Sequence, residues 1–244
     1  MNKLILILSL FLSLTVQADF NSIIKVAIID DFSHTNSHGH QVSEVFNTYK
    51  GNLSFKPEVI ELNVSNSVGY DTEKMVKLAT ELKVNVINLS LGEMDLGYTE
   101  FNNNLFKALK KASDQGIWIV TAAGNNGEVL SVKNPMYPCM FKIERLICVG
   151  ASQGNQINPI SNKGYSVFVY ADGSYKRTNM TSFATPRISQ AIALFLENKK
   201  GINFDKELLL YSMNDKGIVS LNDFYANLKY EHTRRTTASL NLPF

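Results

Sequence analysis

Three stretches of this chain, far apart in sequence, carry the residue types of an activated nucleophile. The first is the apolar run Val26-Ala27-Ile28-Ile29, which ends in Asp30-Asp31. The second is His38-Gly39-His40, and the third is Thr181-Ser182-Phe183-Ala184-Thr185-Pro186. A serine hydroxyl is inert at neutral pH until a base takes its proton, and a histidine base gains from a carboxylate that fixes its ring and stabilises its charge. The chemistry in view is attack on an acyl group followed by hydrolysis. On residue type alone, Asp31 competes with Asp30 and His40 competes with His38. His34, His38 and His40 are three of the four histidines. Such a cluster can also bind zinc or nickel, but no nearby cysteine or clear fourth ligand completes the set.

Two further segments lie between the histidines and the serine: Val86-Ile87-Asn88-Leu89-Ser90-Leu91-Gly92 and Thr121-Ala122-Ala123-Gly124-Asn125-Asn126-Gly127. Together, and in this order, the segments resemble the catalytic domain of subtilisin-like serine proteases, over roughly residues 24 to 200. The resemblance implies an exported endopeptidase that works through an acyl-enzyme on Ser182. It selects His38 as the base, because His38-Gly39-His40-Gln41-Val42 is similar to the family's H-G-T-H-V, whose first position is catalytic. It selects Asp30 as the orienting acid, because the family's acid directly follows the apolar strand. It makes the side chain of Asn125 an oxyanion donor, and Ser90, Leu91, Gly92, Ala123 and Gly124 the walls that bind substrate. Protein or peptide substrates follow. No cofactor is required, and a structural calcium stays open. The alternative is a catalytically silent fold of the same family that binds peptides or a partner protein.

The chain departs from the family pattern at several positions. Phe32 replaces the glycine of D-T-G and Met180 the glycine of G-T-S, which predicts strain wherever the backbone needs positive φ. Val42-Ser43-Glu44 and Ile188-Ser189-Gln190 each end in a long polar residue where the family has V-A-G. If the helices carrying His38 and Ser182 pack together, Glu44 is predicted to hydrogen-bond Gln190 or another polar group on that helix, such as Arg187. No propeptide is visible, so the chain is expected to fold without one or with help from another chain.

Positioning these groups needs elements at set intervals. Apolar runs at Ile24–Asp30, Glu58–Val64, Val84–Leu91, Ile117–Ala122, Ile147–Ala151 and Ser166–Tyr170 read as strands. Helical spacing appears over Gln41–Tyr49, over Asp71–Leu82 with Met75, Leu78, Ala79 and Leu82 on one face, and over Glu100–Ala112 with Phe101, Leu105, Leu109 and Ala112. Gly116 marks the end of that last helix, and Ser182–Leu196 is a longer one. Alternating strands and helices predict an α/β fold: a mostly parallel sheet flanked by helices on both faces, the three-layer architecture of subtilisins.

Length and composition agree with one such domain. The chain has 244 residues, 45% of them hydrophobic, and a formal charge of +2, which leaves no electrostatic footprint for nucleic acid. Lys3 followed by an apolar run from Leu4 to Val16 and the small-residue site Val16-Gln17-Ala18 reads as a secretory signal over 1–18. That run is too short for a membrane span, so no stable membrane insertion is expected once it is removed. The mature domain is then 19–244, with 230–244 polar and expected to be poorly ordered. Export to the periplasm or beyond favours a disulfide between Cys139 and Cys148.

Overall fold

The computed structural model describes residues 23–48, 57–64, 68–94, 100–198 and 203–226, with backbone only at 68–70 and 100–103. The segments proposed as a signal and as a tail lie outside these. Six parallel strands form the sheet: β1 (Lys25–Asp30), β2 (Glu58–Asn63), β3 (Val86–Leu89), β4 (Trp118–Ala122), β5 (Leu146–Gln153) and, after the two-residue antiparallel β6 (Gln156–Ile157), β7 (Val169–Asp172). Their order is β2-β1-β3-β4-β5-β7. The expected parallel α/β sheet is therefore present.

The inner strands β1, β3, β4 and β5 are buried almost throughout because both faces are covered, whereas the edge strand β2 leaves Glu58, Glu61 and Asn63 exposed. Successive side chains point to opposite faces. Val26 and Ile28 join a core with α1 (His38–Thr48) and α4 (Thr181–Asn198). Ala27 and Ile29 join a second core with α2 (Val68–Glu81) and α3 (Glu100–Asp114). Leu105, Leu109 and Ala112 of α3 are buried as expected, and Gly116, at φ +89, follows that helix. The side chain of Phe101 lies outside the described residues. The face expected for α2 is rotated. Thr72, Val76, Ala79 and Thr80 are buried, whereas Leu78 and Leu82 remain exposed on its flank. That helix also begins at Val68, so Asp71 sits within the first turn, where a negative charge complements the helix dipole.

The strand order decides where a site can form. From β1 the chain moves to one side, to β2, and then returns to the other side, to β3. At such a reversal the loops leaving the carboxyl ends of the strands diverge and open a crevice. Asp30 ends β1, Ser90 directly follows β3 and Asn125 follows β4. Residues 95 positions apart in sequence thus meet at the carboxyl end of the sheet.

Candidate active site

Asp30 is buried, 2% exposed, at the end of its strand. Its Oδ1 lies 2.7 Å from His38 Nδ1 and also accepts the Asp31 backbone N–H at 2.7 Å. Asp31 points elsewhere: its Oδ1 accepts the Ser33 N–H (2.8 Å) and hydroxyl (2.5 Å), which holds its carboxyl below the ordinary range. The pairing separates the two acids that residue type alone left open. A carboxylate can only accept, so Nδ1 carries the ring proton and Nε2 is left as the basic atom. Burial, the largest single influence, pushes the His38 imidazole down. The Asp30 hydrogen bond, the charge of Asp30 and the charge of Asp31 together outweigh it and hold the group above its ordinary 6.5.

His38 sits in the first turn of α1, which starts three residues earlier than the periodicity predicted. The Gly39 N–H donates to the Asp31 carbonyl at 2.8 Å, and a Cβ on Gly39 would fall 2.7 Å from that oxygen. Only glycine lets helix and loop approach this closely. Phe32 takes no strained conformation, since Asn36, Lys83 and Lys176 are the non-glycine residues at positive φ among those described. Its N–H donates to Asn63 Oδ1 at 2.8 Å, and its ring meets His40 edge-on at 5.2 Å. Met180 is equally free of the strain that its position predicted.

Ser182 stands at the start of α4 and is 6% exposed. Pro186 lies past the first turn of that helix. Without an N–H it leaves the Ser182 carbonyl without its helical donor. The Ser90 hydroxyl fills that role at 2.9 Å, and Ser90 Oγ itself accepts from Asn88 Nδ2 at 3.0 Å. Asn88 Oδ1 in turn accepts the Ser189 hydroxyl at 2.8 Å. This buried polar chain ties β3 to α4. Leu91 and Gly92 continue outward from Ser90, and Glu93 exchanges backbone hydrogen bonds with Tyr137 at 2.9 Å each. No hydrogen bond joins His38 to Ser182 among the described residues. Such contacts often tighten only when substrate binds.

Asn125 Oδ1 accepts two hydrogen bonds from Thr181, from the N–H at 2.8 Å and from the hydroxyl at 3.1 Å. The backbone N–H can only donate, so the amide oxygen must face it and Nδ2 is left on the other side of the amide. The loop bearing Asn125 is held by Asn162, which is fully buried. Asn162 Oδ1 accepts from Asn126 N (3.1 Å) and Glu128 N (3.0 Å), and its Nδ2 donates to the Ala123 carbonyl (2.9 Å). Asn162 did not stand out in the sequence and Thr181 carried no role of its own there, because each works through a partner distant along the chain.

The predicted partner of Glu44 is wrong. Glu44 is exposed on α1 and accepts the Tyr175 hydroxyl at 2.5 Å, with Lys176 Nζ 3.9 Å away. Tyr175 belongs to a hairpin of β8 (Ser174–Tyr175) and β9 (Thr178–Asn179) that runs over both helices. Gln190 donates instead to the Phe46 carbonyl near the end of α1, where carbonyls lack helical donors. Arg187 donates to the Ser174 carbonyl at 2.9 Å. The helices do pack together, but by this route.

Cys139 and Cys148 form the expected disulfide, with Cα atoms 5.0 Å apart. Among the described residues no group of three or more His, Cys, Asp or Glu side chains could hold a metal ion, and His40 is engaged by Ser37 at 3.0 Å. No described helix is long and apolar enough to cross a membrane.

A model of the Subtilase family matches residues 53–216, well over half of the chain. The chain belongs to the subtilase family. That match begins after Asp30 and His38, so the pairing of those two residues rests on their geometry. Subtilisin DY of Bacillus licheniformis is 32% identical over 181 residues, which cover 66% of this chain and 64% of that protein. Subtilisin of Bacillus pumilus is 34% identical over 132 residues, covering 50% of this chain and 46% of that protein. The chain thus spans less than two thirds of the length of these curated relatives. Among solved structures, a lanthipeptide protease superposes with a TM-score of 0.69 at 18% identity, over 85% of this chain and 87% of that one. This likeness shows the three-layer subtilisin-like fold.

Proposed function

We propose that the chain is an exported serine endopeptidase, made as a signal over 1–18 and one peptidase domain over 19–244. Ser182 attacks the peptide carbonyl while His38 Nε2 takes its proton. Asp30 holds the imidazole in the required tautomer and stabilises its charged form. The tetrahedral oxyanion is received by Asn125 Nδ2 and the Ser182 backbone N–H at the start of α4, where the helix dipole also favours negative charge. His38 then returns the proton to the leaving amine, and water releases the acyl group.

The observation that carries this reading is a pair of fixed orientations. Asp30 turns His38 so that Nε2 is free, and Thr181 turns Asn125 so that Nδ2 is free. Both groups are held in the form that acyl transfer uses. The signal-like segment and the disulfide support export.

The test compares purified mature chain with its Ser182→Ala variant on an unfolded protein substrate, alongside labelling by a serine-directed fluorophosphonate. Wild type should label and cleave, and the variant should lose about 10⁶ in turnover. Equal residual rates for the two would assign the fold to peptide or partner binding instead.

A further inference from the structure

A separate concavity lies where β5 and β7 end. It is a cleft of about 990 Å³ walled by the ends of those strands, Ser174 of the hairpin, Arg187 of α4 and the segment 211–223. None of Asp30, His38, Asn125 or Ser182 lines it. The outer wall is fastened to the sheet. Tyr170 of β7 donates to the Gly217 carbonyl at 2.9 Å and accepts the Val219 N–H at 2.8 Å. Lys216 Nζ donates to the Asn155 carbonyl at 3.3 Å and to Gln156 Oε1 at 2.8 Å. The cleft is therefore part of the fold, and its volume is that of a small-molecule site.

Its polar groups have bonding capacity to spare. Ser152 is 1% exposed and its hydroxyl has no hydrogen-bond partner, and neither has Arg187 Nε. A buried polar group left unpaired is costly, and a ligand group that meets it recovers that cost. Asn214 Oδ1 already accepts the Lys216 N–H at 2.9 Å and the Ile218 N–H at 3.1 Å, so its Nδ2 is left to donate. Asp172 and Asp223, both exposed, offer acceptors. Asp172 Oδ2 lies 3.5 Å from Arg187 Nη2, so those two charges answer each other within the cleft. Tyr211, 81% exposed, adds an aromatic face.

Mixed donors and acceptors fit a neutral ligand rich in hydroxyls, each of which both donates and accepts. A multiply charged ligand gains little where Asp172 and Arg187 offset one another. An extended peptide gains little too, because the outer edge of β7 is already paired at Tyr170 and offers no free strand to lengthen there. An exposed tyrosine, apolar in body and polar at its tip, suits the face of a sugar ring. We infer that this cleft is a carbohydrate-binding site for a neutral oligosaccharide of about two or three units. Tyr211 stacks on one ring, while Asp172, Asn214 and Asp223 bond its hydroxyls. Such a site would hold the chain on a glycan and leave Ser182 uncovered. It is independent of the peptidase reading.

The experiment is calorimetric titration of the mature Ser182→Ala chain, which cannot digest itself or a peptide by the proposed route. The probes are maltotriose, cellotriose and chitotriose, with tetra-alanine as the peptide alternative. At least one trisaccharide should bind with Kd of about 1 mM or tighter. Tyr211→Ala and Asp223→Ala, both at exposed positions, should each weaken it about tenfold while thermal unfolding stays unchanged. Failure of all three trisaccharides to bind at about 10 mM overturns the inference. So does binding that either substitution leaves unchanged, which would place the sugar elsewhere. Tetra-alanine binding as tightly as the best trisaccharide, and sensitive to the same substitutions, would reassign the cleft to peptides. None of these outcomes bears on fluorophosphonate labelling of wild type, which tests the peptidase reading separately.

Discussion

The Ser90 hydroxyl donates to the Ser182 carbonyl at 2.9 Å and takes the place of the helical N–H that Pro186 lacks. A proline five residues into α4 would otherwise leave a buried carbonyl without a partner beside the nucleophile. Loss of one partner exposes the full desolvation cost of the other. Ser90→Ala should therefore lower stability by about 1–3 kcal/mol in urea unfolding, a larger effect than loss of an exposed serine hydroxyl. Replacing Pro186 with alanine in the same background would supply the missing N–H and should restore part of that loss.

Asn125→Ala should reduce kcat by about 10²–10³ with little change in KM, because its free amide acts only once the oxyanion forms. Thr181→Val removes one of the two donors that orient Asn125 and should give a smaller loss in the same parameter. Steady-state kinetics on one peptide anilide measures both. A change confined to KM would argue against the donor role.

The pH profile follows from the raised His38. Catalysis needs the neutral ring, so activity should appear as pH rises through an acid limb lying above 6.5. Asp30→Asn removes the principal influence raising that value and leaves burial to lower it, so the residual limb should move to lower pH. Turnover should fall by about 10⁴. The same shift bears on stability in the opposite sense. A group raised in the folded state stabilises fully below its unfolded value of 6.5, and the contribution fades as pH climbs through the folded value. A limb that does not move in Asp30→Asn would disprove the assignment.

Asn162 makes three hydrogen bonds to the loop that carries Asn125 and is fully buried. Asn162→Ala should cost about 2–4 kcal/mol in thermal or urea unfolding, with kcat falling further than the stability loss explains. Fluorophosphonate labelling at low temperature, where the variant is still folded, separates the two effects.

Tyr175 lies with its ring 4.7 Å from that of Phe183 and its hydroxyl on Glu44. Because Glu44 is exposed, Tyr175→Phe should cost under about 1 kcal/mol. Tyr175→Ala also removes the ring contact and should cost about 2 kcal/mol. Similar losses for the two variants would mean that the hydroxyl, not the ring, holds the hairpin.

The sequence by itself determined the layered α/β fold. Its strands run apolar on both faces and its helices carry apolar spacing, and both signals are local. The segments around Asp30, His38, Asn125 and Ser182 were legible through their resemblance to the subtilase pattern, which residue type and periodicity alone did not supply. Tertiary structure alone decided what those residues touch. Asp31 differs from Asp30 by one step along the chain, yet only the meeting of β1 with α1 turns one toward His38 and the other toward Ser33. Glu44 and Gln190 matched by position, but the first reaches Tyr175, 131 residues away, and the second reaches Phe46, 144 residues away. Hydrogen bonds and packing between distant segments depend on distances that only the folded chain sets, and no periodicity encodes them.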